Sequence, residues 1–238
     1  MSLKYPRTIS FIVLALNEED YIETTFQTVS DAVACSSIDA YEVVMVDDGS
    51  TDKTGVLMDA IQATSDKVKV IHNSCNKGLG AAYMRGIEVA SNEYIMIIAG
   101  DNIMPTLSIS KIVDLIGTHD MILPYMTDDQ FREPIRRYGS SGFTRVINIM
   151  SGNKIKYYNG MVVRRSLFEG EKIDSTGYSL MAECVLKFLG KGADFIEVGV
   201  PHGYPVATKS GSKALRIKNL VNLFFSLLSI YRLTRQRR

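Results

Sequence analysis

The chain has 238 residues, 46% of them hydrophobic and 22% charged, which is the size and composition of one globular domain able to bury a sizeable core. Its 27 basic and 26 acidic side chains nearly cancel, which excludes the global positive field that draws proteins to nucleic acid, so no nucleic-acid partner is expected. Cys35, Cys75 and Cys184 are scattered, form no CxxC pair and leave one thiol over in any disulfide scheme, which points to a reducing, cytoplasmic setting.

Taken in chain order, β-branched runs alternate with amphipathic stretches. A strand is predicted over 8–16, followed by a helix from Glu18 to about Cys35. A second strand over 41–46 runs into Asp47-Asp48-Gly49-Ser50-Thr51-Asp52, with a helix starting after an Asp52 cap. A strand over 68–71 leads to Asn76-Lys77-Gly78-Leu79-Gly80-Ala81-Ala82 and a helix ending near Ala90. Strands over 94–98 and 121–123 follow, then an Arg-rich helix over 131–150 and short strand-like runs at 160–163 and 195–198. This alternation predicts an α/β fold, one Rossmann-like domain whose mostly parallel central sheet is flanked by helices. With no internal repeat and no low-complexity linker, two separate domains are not expected.

Four strand-to-helix turns carry side chains with chemistry. In an open α/β sheet, ligands bind beyond the carboxyl ends of the strands, and neighbouring parallel strands face one crevice. Asn17-Glu18 after the first strand should therefore lie beside Asp47-Asp48 after the second. Carboxylates there can accept hydrogen bonds from a nucleobase N–H or ribose hydroxyls, while Gly49 permits a close turn; a plain helix cap explains the same residues about equally well. Lys77 and the amides around Gly78 suit a phosphate, with a solvated lysine on a glycine turn as the bland equivalent. Tyr83 stands where a dinucleotide fingerprint needs its third glycine, so that motif is excluded. Gly100-Asp101-Asn102 ends a buried strand in a carboxylate suited to a hard divalent cation, Mg²⁺ or Mn²⁺, beside a diphosphate; a lone Asp at a strand end is otherwise a turn former.

In this order the four motifs resemble family 2 glycosyltransferases of the GT-A fold, most closely the dolichyl-phosphate mannose or glucose synthase-like branch, over about residues 8 to 215. The resemblance implies an inverting enzyme that moves a sugar from a GDP- or UDP-linked donor to a polyprenyl-phosphate or glycan acceptor, as in cell-envelope polysaccharide synthesis. It places Leu14, Ala15, Asn17, Glu18, Asp47, Asp48, Gly49, Lys77 and Gly78 around the nucleoside, and Gly100 and Asp101 at the diphosphate and metal. Lys209 and Lys213 would fold over the diphosphate, and Glu183 would lie near the acceptor; a sugar hydroxyl acceptor needs a general base, for which Glu183 is then the candidate, whereas a polyprenyl phosphate needs none. Three departures stand out: Ala99 replaces the first Asp of the Asp-x-Asp motif, Ile103 stands where the branch often has Gln, and Leu14 replaces a usual proline. The altered metal motif keeps open a nucleotide-sugar-binding partner without turnover. A sugar nucleotidyltransferase is disfavoured, because Asn17-Glu18-Glu19-Asp20 occupies the place of its glycine-rich basic loop.

The domain is expected over 1–212, with a nucleotide-sugar half over 1–125 and an acceptor half over 126–212; a basic amphipathic C-terminal helix is expected over 213–238. Its uncharged apolar run, 219–231, falls short of the ~20 residues of a spanning helix. Flanked by Lys213, Arg216, Lys218, Arg232, Arg235, Arg237 and Arg238, it suits peripheral contact with the inner face of a membrane, or a helix that covers the core or pairs two copies. The first residues lack a signal-peptide pattern.

Overall fold

The computed structural model describes residues 3–127, 134–156, 160–173, 175 and 179–201. Lys209, Lys213 and the C-terminal helix expected over 213–238 lie outside the described residues.

The sheet is built from β1 (Thr8–Ala15), β2 (Ala40–Asp47), β3 (Val68–His72), β4 (Tyr94–Ala99), β5 (Met121–Met126), β6 (Val162–Arg164) and β7 (Phe195–Val200), in the order β3-β2-β1-β4-β6-β5-β7. Every pairing is parallel except those of β6, which runs antiparallel between β4 and β5. The strand order reverses between β1 and β4, which opens a crevice at their carboxyl ends.

Phe11-Ile12-Val13-Leu14 and Val43-Val44-Met45-Val46 read as continuous apolar runs because both faces of these strands are covered. Ile12, Leu14, Val44 and Val46 pack with Tyr83, Ile147 and Phe188 on one face, beneath α3 (Leu79–Val89), α5 (Pro134–Ser151) and α6 (Leu180–Gly190). Phe11, Val13, Val43 and Met45 pack on the other with Ile22, Met58 and Ile109 of α1 (Ile22–Ala34), α2 (Thr54–Thr64) and α4 (Thr106–Val113). Successive residues thus serve opposite layers, as the strand period of two requires.

Two helices are absent from the sequence reading. The residues of α4, TLSISKIV, are rich in β-branched side chains and carry little helical signal. Those of α6, LMAECVLKFLG, are buried nearly all round, so no polar face reveals the 3.6-residue period.

The expected helix start at Glu18 is corrected to Ile22. Glu18 and Glu19 serve another purpose: their N–H groups donate to Thr54 Oγ1 at 2.8 Å and Asp52 Oδ2 at 3.3 Å, and the Glu19 carboxylate accepts the Lys53 N–H at 2.9 Å. The residues of a first helical turn are drawn instead into a brace between the β1–α1 and β2–α2 loops. Among the described residues, no helix is long and apolar enough to cross a membrane.

Candidate functional site

The register puts the predicted site residues together. Leu14 pairs with Val46 on one side and Ala99 on the other, and Ala15 pairs with Asp47. Pairing continues past the strand ends, since the Asp48 N–H donates to the Ala15 carbonyl and the Gly100 N–H to the Leu14 carbonyl, both at 2.9 Å. Asn17, Asp48 and Asp101 therefore follow three adjacent strand ends. Leu14 and Ala15 are themselves buried, with both carbonyls engaged, and form the floor of the crevice.

Asn17 adopts the left-handed conformation, φ 58°, which asparagine tolerates better than other side-chain-bearing residues. Its N–H donates to Ser50 Oγ at 3.0 Å and its Oδ1 accepts the Thr51 N–H at 2.8 Å. Gly49, φ 78°, lies so close to the β3–α3 loop that a Cβ would come within 2.5 Å of the Cys75 carbonyl carbon. Only glycine combines that conformation with that approach.

The two adjacent aspartates point to different partners. Asp47 Oδ1 accepts the Ser50 N–H at 2.8 Å, and Oδ2 meets His72 Nδ1 at 3.0 Å. Burial alone would raise the Asp47 carboxyl, but the Ser50 and His72 contacts outweigh it and hold it below the ordinary range. Asp48 Oδ1 accepts from Asn73 Nδ2 at 2.8 Å and the Lys77 N–H at 2.9 Å, and Oδ2 accepts the Gly78 N–H at 2.9 Å. The amides expected to meet a phosphate at the start of α3 thus hold an internal anion, Asp48, and the exposed side chain of Lys77 is what the turn offers to a ligand. Behind them Arg85 Nη1 donates to Asn73 Oδ1 at 2.8 Å. The N-cap of α2 is Lys53, and the expected cap residue Asp52 lies one position before it, accepting the Thr54 N–H at 2.9 Å and its hydroxyl at 2.6 Å.

Asp101 is different. It is half-buried, its carboxylate meets only backbone N–H groups, its own and that of Ile103 at 3.4 Å, and it makes no ion pair among the described residues. Burial pushes its pKa up, against the opposing effect of the Ile103 N–H and of its own backbone N–H. Asn102 follows with φ 51°, turning the chain away from the strand. Gly100 leaves no room for a side chain, since a Cβ would stand 2.8 Å from Ala15 Cβ; the buried Thr25 hydroxyl of α1 donates to its carbonyl at 2.9 Å. Ala99 is exposed at the strand tip and offers no ligand. Among the described residues no three His, Cys, Asp or Glu side chains gather into a metal centre. A single carboxylate fits a Mg²⁺-type ion whose remaining ligands are water and donor phosphate oxygens.

Glu183, in the first turn of α6, is 1% exposed. Its Oε1 lies 2.6 Å from Lys187 Nζ and its Oε2 accepts the Ser175 N–H at 2.8 Å. Thr25, Thr54, His72, Asn73 and Arg85 support the site and escaped the sequence reading; only Thr54, just after the Asp52 cap, carries a sequence signal.

The glycosyl transferase family 2 model matches residues 10–172. A dolichol-phosphate mannosyltransferase of Pyrococcus furiosus is 28% identical over 236 residues, covering 94% of this chain and 63% of that protein. The glycosyltransferase GlyG of Streptococcus pneumoniae is 35% identical over 79 residues, 33% of this chain and 26% of its own length. The chain thus spans less than two thirds of either relative. Among solved structures, glucosyl-3-phosphoglycerate synthase from Mycobacterium tuberculosis, in complex with Mn²⁺, UDP-glucose and phosphoglyceric acid, superposes with a TM-score of 0.70 at 18% identity, over 95% of this chain and 80% of that one. With the four turns gathered at the switch point of its sheet, the chain belongs to glycosyl transferase family 2 and has the GT-A fold.

Proposed function

We propose that the chain transfers a sugar from a nucleoside-diphosphate sugar to an acceptor oxygen, with inversion at the anomeric carbon. The observation that carries this reading is the convergence of Asn17, Asp48 and Asp101 on three adjacent strand ends of a family 2 glycosyltransferase fold. The nucleoside lies along Asn17, Glu18, Asp47, Asp48, Gly49, Lys77 and Gly78, over the floor of Leu14 and Ala15, and the diphosphate lies toward Gly100 and Asp101. A divalent cation there would neutralise the charge that develops on the departing diphosphate. Asp101 would provide its protein ligand, and Lys209 and Lys213, which lie outside the described residues, would supply basic side chains to the same phosphates.

In the transfer, the acceptor oxygen forms its bond to the anomeric carbon from the face opposite the diphosphate. The bond to the diphosphate oxygen breaks, and its electron pair leaves with the nucleoside diphosphate. The protein positions the reactants and neutralises charge. A polyprenyl-phosphate acceptor, as the name of the Pyrococcus relative implies, has an anionic oxygen and needs no base; a neutral hydroxyl of a glycan does. Glu183 is our candidate base for that case, and its oxygens also engage Lys187 and the Ser175 N–H. We assign the catalytic domain to 1–212, with 213–238 as a peripheral contact to the inner face of a membrane.

The exposed Ala99, in place of a carboxylate, favours a second reading, a nucleotide-sugar-binding partner without turnover. Calorimetric titration with UDP- and GDP-sugars, with and without Mn²⁺, followed by a transfer assay on a polyprenyl phosphate, separates the two. Binding with transfer supports the enzyme, binding without transfer or hydrolysis supports the partner, and no binding of any nucleotide sugar refutes both.

A further inference from the structure

His72 ends β3, the edge strand of the sheet. Its Nδ1 lies 3.0 Å from Asp47 Oδ2 and its Nε2 lies 3.0 Å from Asp59 Oδ1 of α2. A carboxylate oxygen only accepts, and neutral imidazole has a single N–H, so both contacts are hydrogen bonds only when the ring is protonated. The chain of contacts continues inward: Asp47 Oδ1 accepts the Ser50 N–H at 2.8 Å, and Ser50 Oγ accepts the Asn17 N–H at 3.0 Å. His72 is thereby linked through three hydrogen bonds to the loop after β1.

We propose that His72 is a positioning residue for the donor pocket: as an imidazolium clamped between Asp47 and Asp59 it fixes the 47–51 turn against Asn17, so the pocket binds nucleotide sugar less tightly once the ring loses its proton. The proposal rests on the donor-site reading above. The charged groups that meet the ring are Asp47 from β2 and Asp59 from α2; Gly55 of α2 also faces it, where a Cβ would lie 3.3 Å from Cε1. Of the neighbouring charges, Asp52 engages Thr54 and Glu19 engages Lys53. Hydrogen bonds to Asp47 and then Asp59 raise the His72 pKa above its ordinary 6.5, against an opposing effect of burial. The clamp is complete below 6.5 and is lost as pH rises through the higher, folded value.

The test is calorimetric binding of UDP-glucose and GDP-mannose between about pH 6 and 8.5, a range in which their doubly esterified diphosphates do not titrate. In the wild-type protein the dissociation constant of the donor that binds is expected to rise about three- to tenfold across this range. In His72→Gln it should be flat with pH, and in Asp59→Asn, at an exposed side chain, the midpoint should move down. An NMR titration of the His72 ring reads the clamp independently of the ligand. Binding in the wild type that does not change with pH, the same pH dependence in His72→Gln, or a ring that titrates at or below 6.5 would each overturn the proposal. No nucleotide-sugar binding at any pH would overturn the donor-site reading and this proposal with it, whereas a pH-independent affinity overturns this proposal alone.

Discussion

Replacing Asp48 with asparagine probes the pocket with almost no change in shape. Asp48 is 6% exposed and accepts three N–H groups, from Asn73, Lys77 and Gly78. An asparagine placed with its carbonyl oxygen at Oδ1 keeps the first two and turns an NH2 group toward the Gly78 N–H, donor against donor. Asn76 Oδ1 also accepts that N–H, at 2.9 Å, so it is not left wholly unpaired. A lost hydrogen bond to a charged group costs about 1.5–3 kcal/mol, and loss of the anion at the start of α3 adds about 0.3–1 kcal/mol. With the Asn76 contact partly compensating, the expected destabilisation is about 2 kcal/mol. For a chain of this length that lowers Tm by about 4–8 °C. Thermal denaturation followed by circular dichroism measures it, and UDP- or GDP-sugar binding by Asp48→Asn should weaken in parallel, because the β3–α3 loop loses its tether. A Tm within about 1 °C of wild type would refute the reasoning, since it would mean that the carboxylate does not hold the loop.

Three further predictions follow from the packing. Gly100→Ala places a Cβ 2.8 Å from Ala15 Cβ and 3.1 Å from the Leu14 carbonyl oxygen, so it should part the tips of β1 and β4, cost about 1–3 kcal/mol in urea denaturation and weaken donor binding. Tyr83 is fully buried and its hydroxyl has no hydrogen-bond partner among the described residues; Tyr83→Phe keeps the edge contact with Phe168 and should leave the urea midpoint unchanged or raise it, by up to about 1 kcal/mol in stability. Glu42 is opposed by burial, yet hydrogen bonds from Lys69, Ser10 and Ser91 bring its pKa from 4.5 down to about 2. Its contribution, up to about 3 kcal/mol, is present above pH 4.5 and lost as pH falls toward 2. Urea midpoints measured between about pH 5 and 3 should therefore fall more steeply for wild type than for Glu42→Gln.

The parallel half of the fold was legible because its strands are buried on both faces and end in turn residues. Thr8 to Ala15 and Ala40 to Asp47 are nearly unbroken apolar runs, and Asn17, Gly49, Gly78 and Gly100 mark where they stop. The second half was less legible. Strand β6 has three residues and lies antiparallel inside a parallel sheet, too short for its period to register. In α6 the burial that makes the helix part of the core erases its polar face. The positions of the site residues could be read from order and spacing, but their partners could not. Nothing in Asn73 or Arg85 announces that one hydrogen-bonds Asp48 and the other supports it, because those contacts join residues 25 and 12 positions apart in sequence. Nor does adjacency in sequence reveal that Asp47 turns toward β3 and α2 while Asp48 turns toward α3.

The same contacts separate carboxylates tied to neighbouring loops from Asp101, which lacks such a tie. Glu19, Asp47, Asp48 and Asp52 each accept at least one N–H at 2.8–2.9 Å, and each of those bonds ties one loop down. Their charge is already spent on local donors, and removing any of them should first cost stability. Asp101 meets only its own N–H and that of Ile103 at 3.4 Å, with no ion pair among the described residues, and burial penalises its charge. A diphosphate brought next to such a carboxylate would be repelled. A divalent cation between them reverses the sign of that interaction, which makes donor and cation favour one another's binding. On the proposed reading, with alanine at 99 the protein would contribute one ligand where two carboxylates would hold the ion by themselves. Cation affinity should therefore be low in the free protein and rise when the nucleotide sugar is present, and Asp101→Asn should remove that rise while leaving the braced loops, and hence Tm, nearly unchanged.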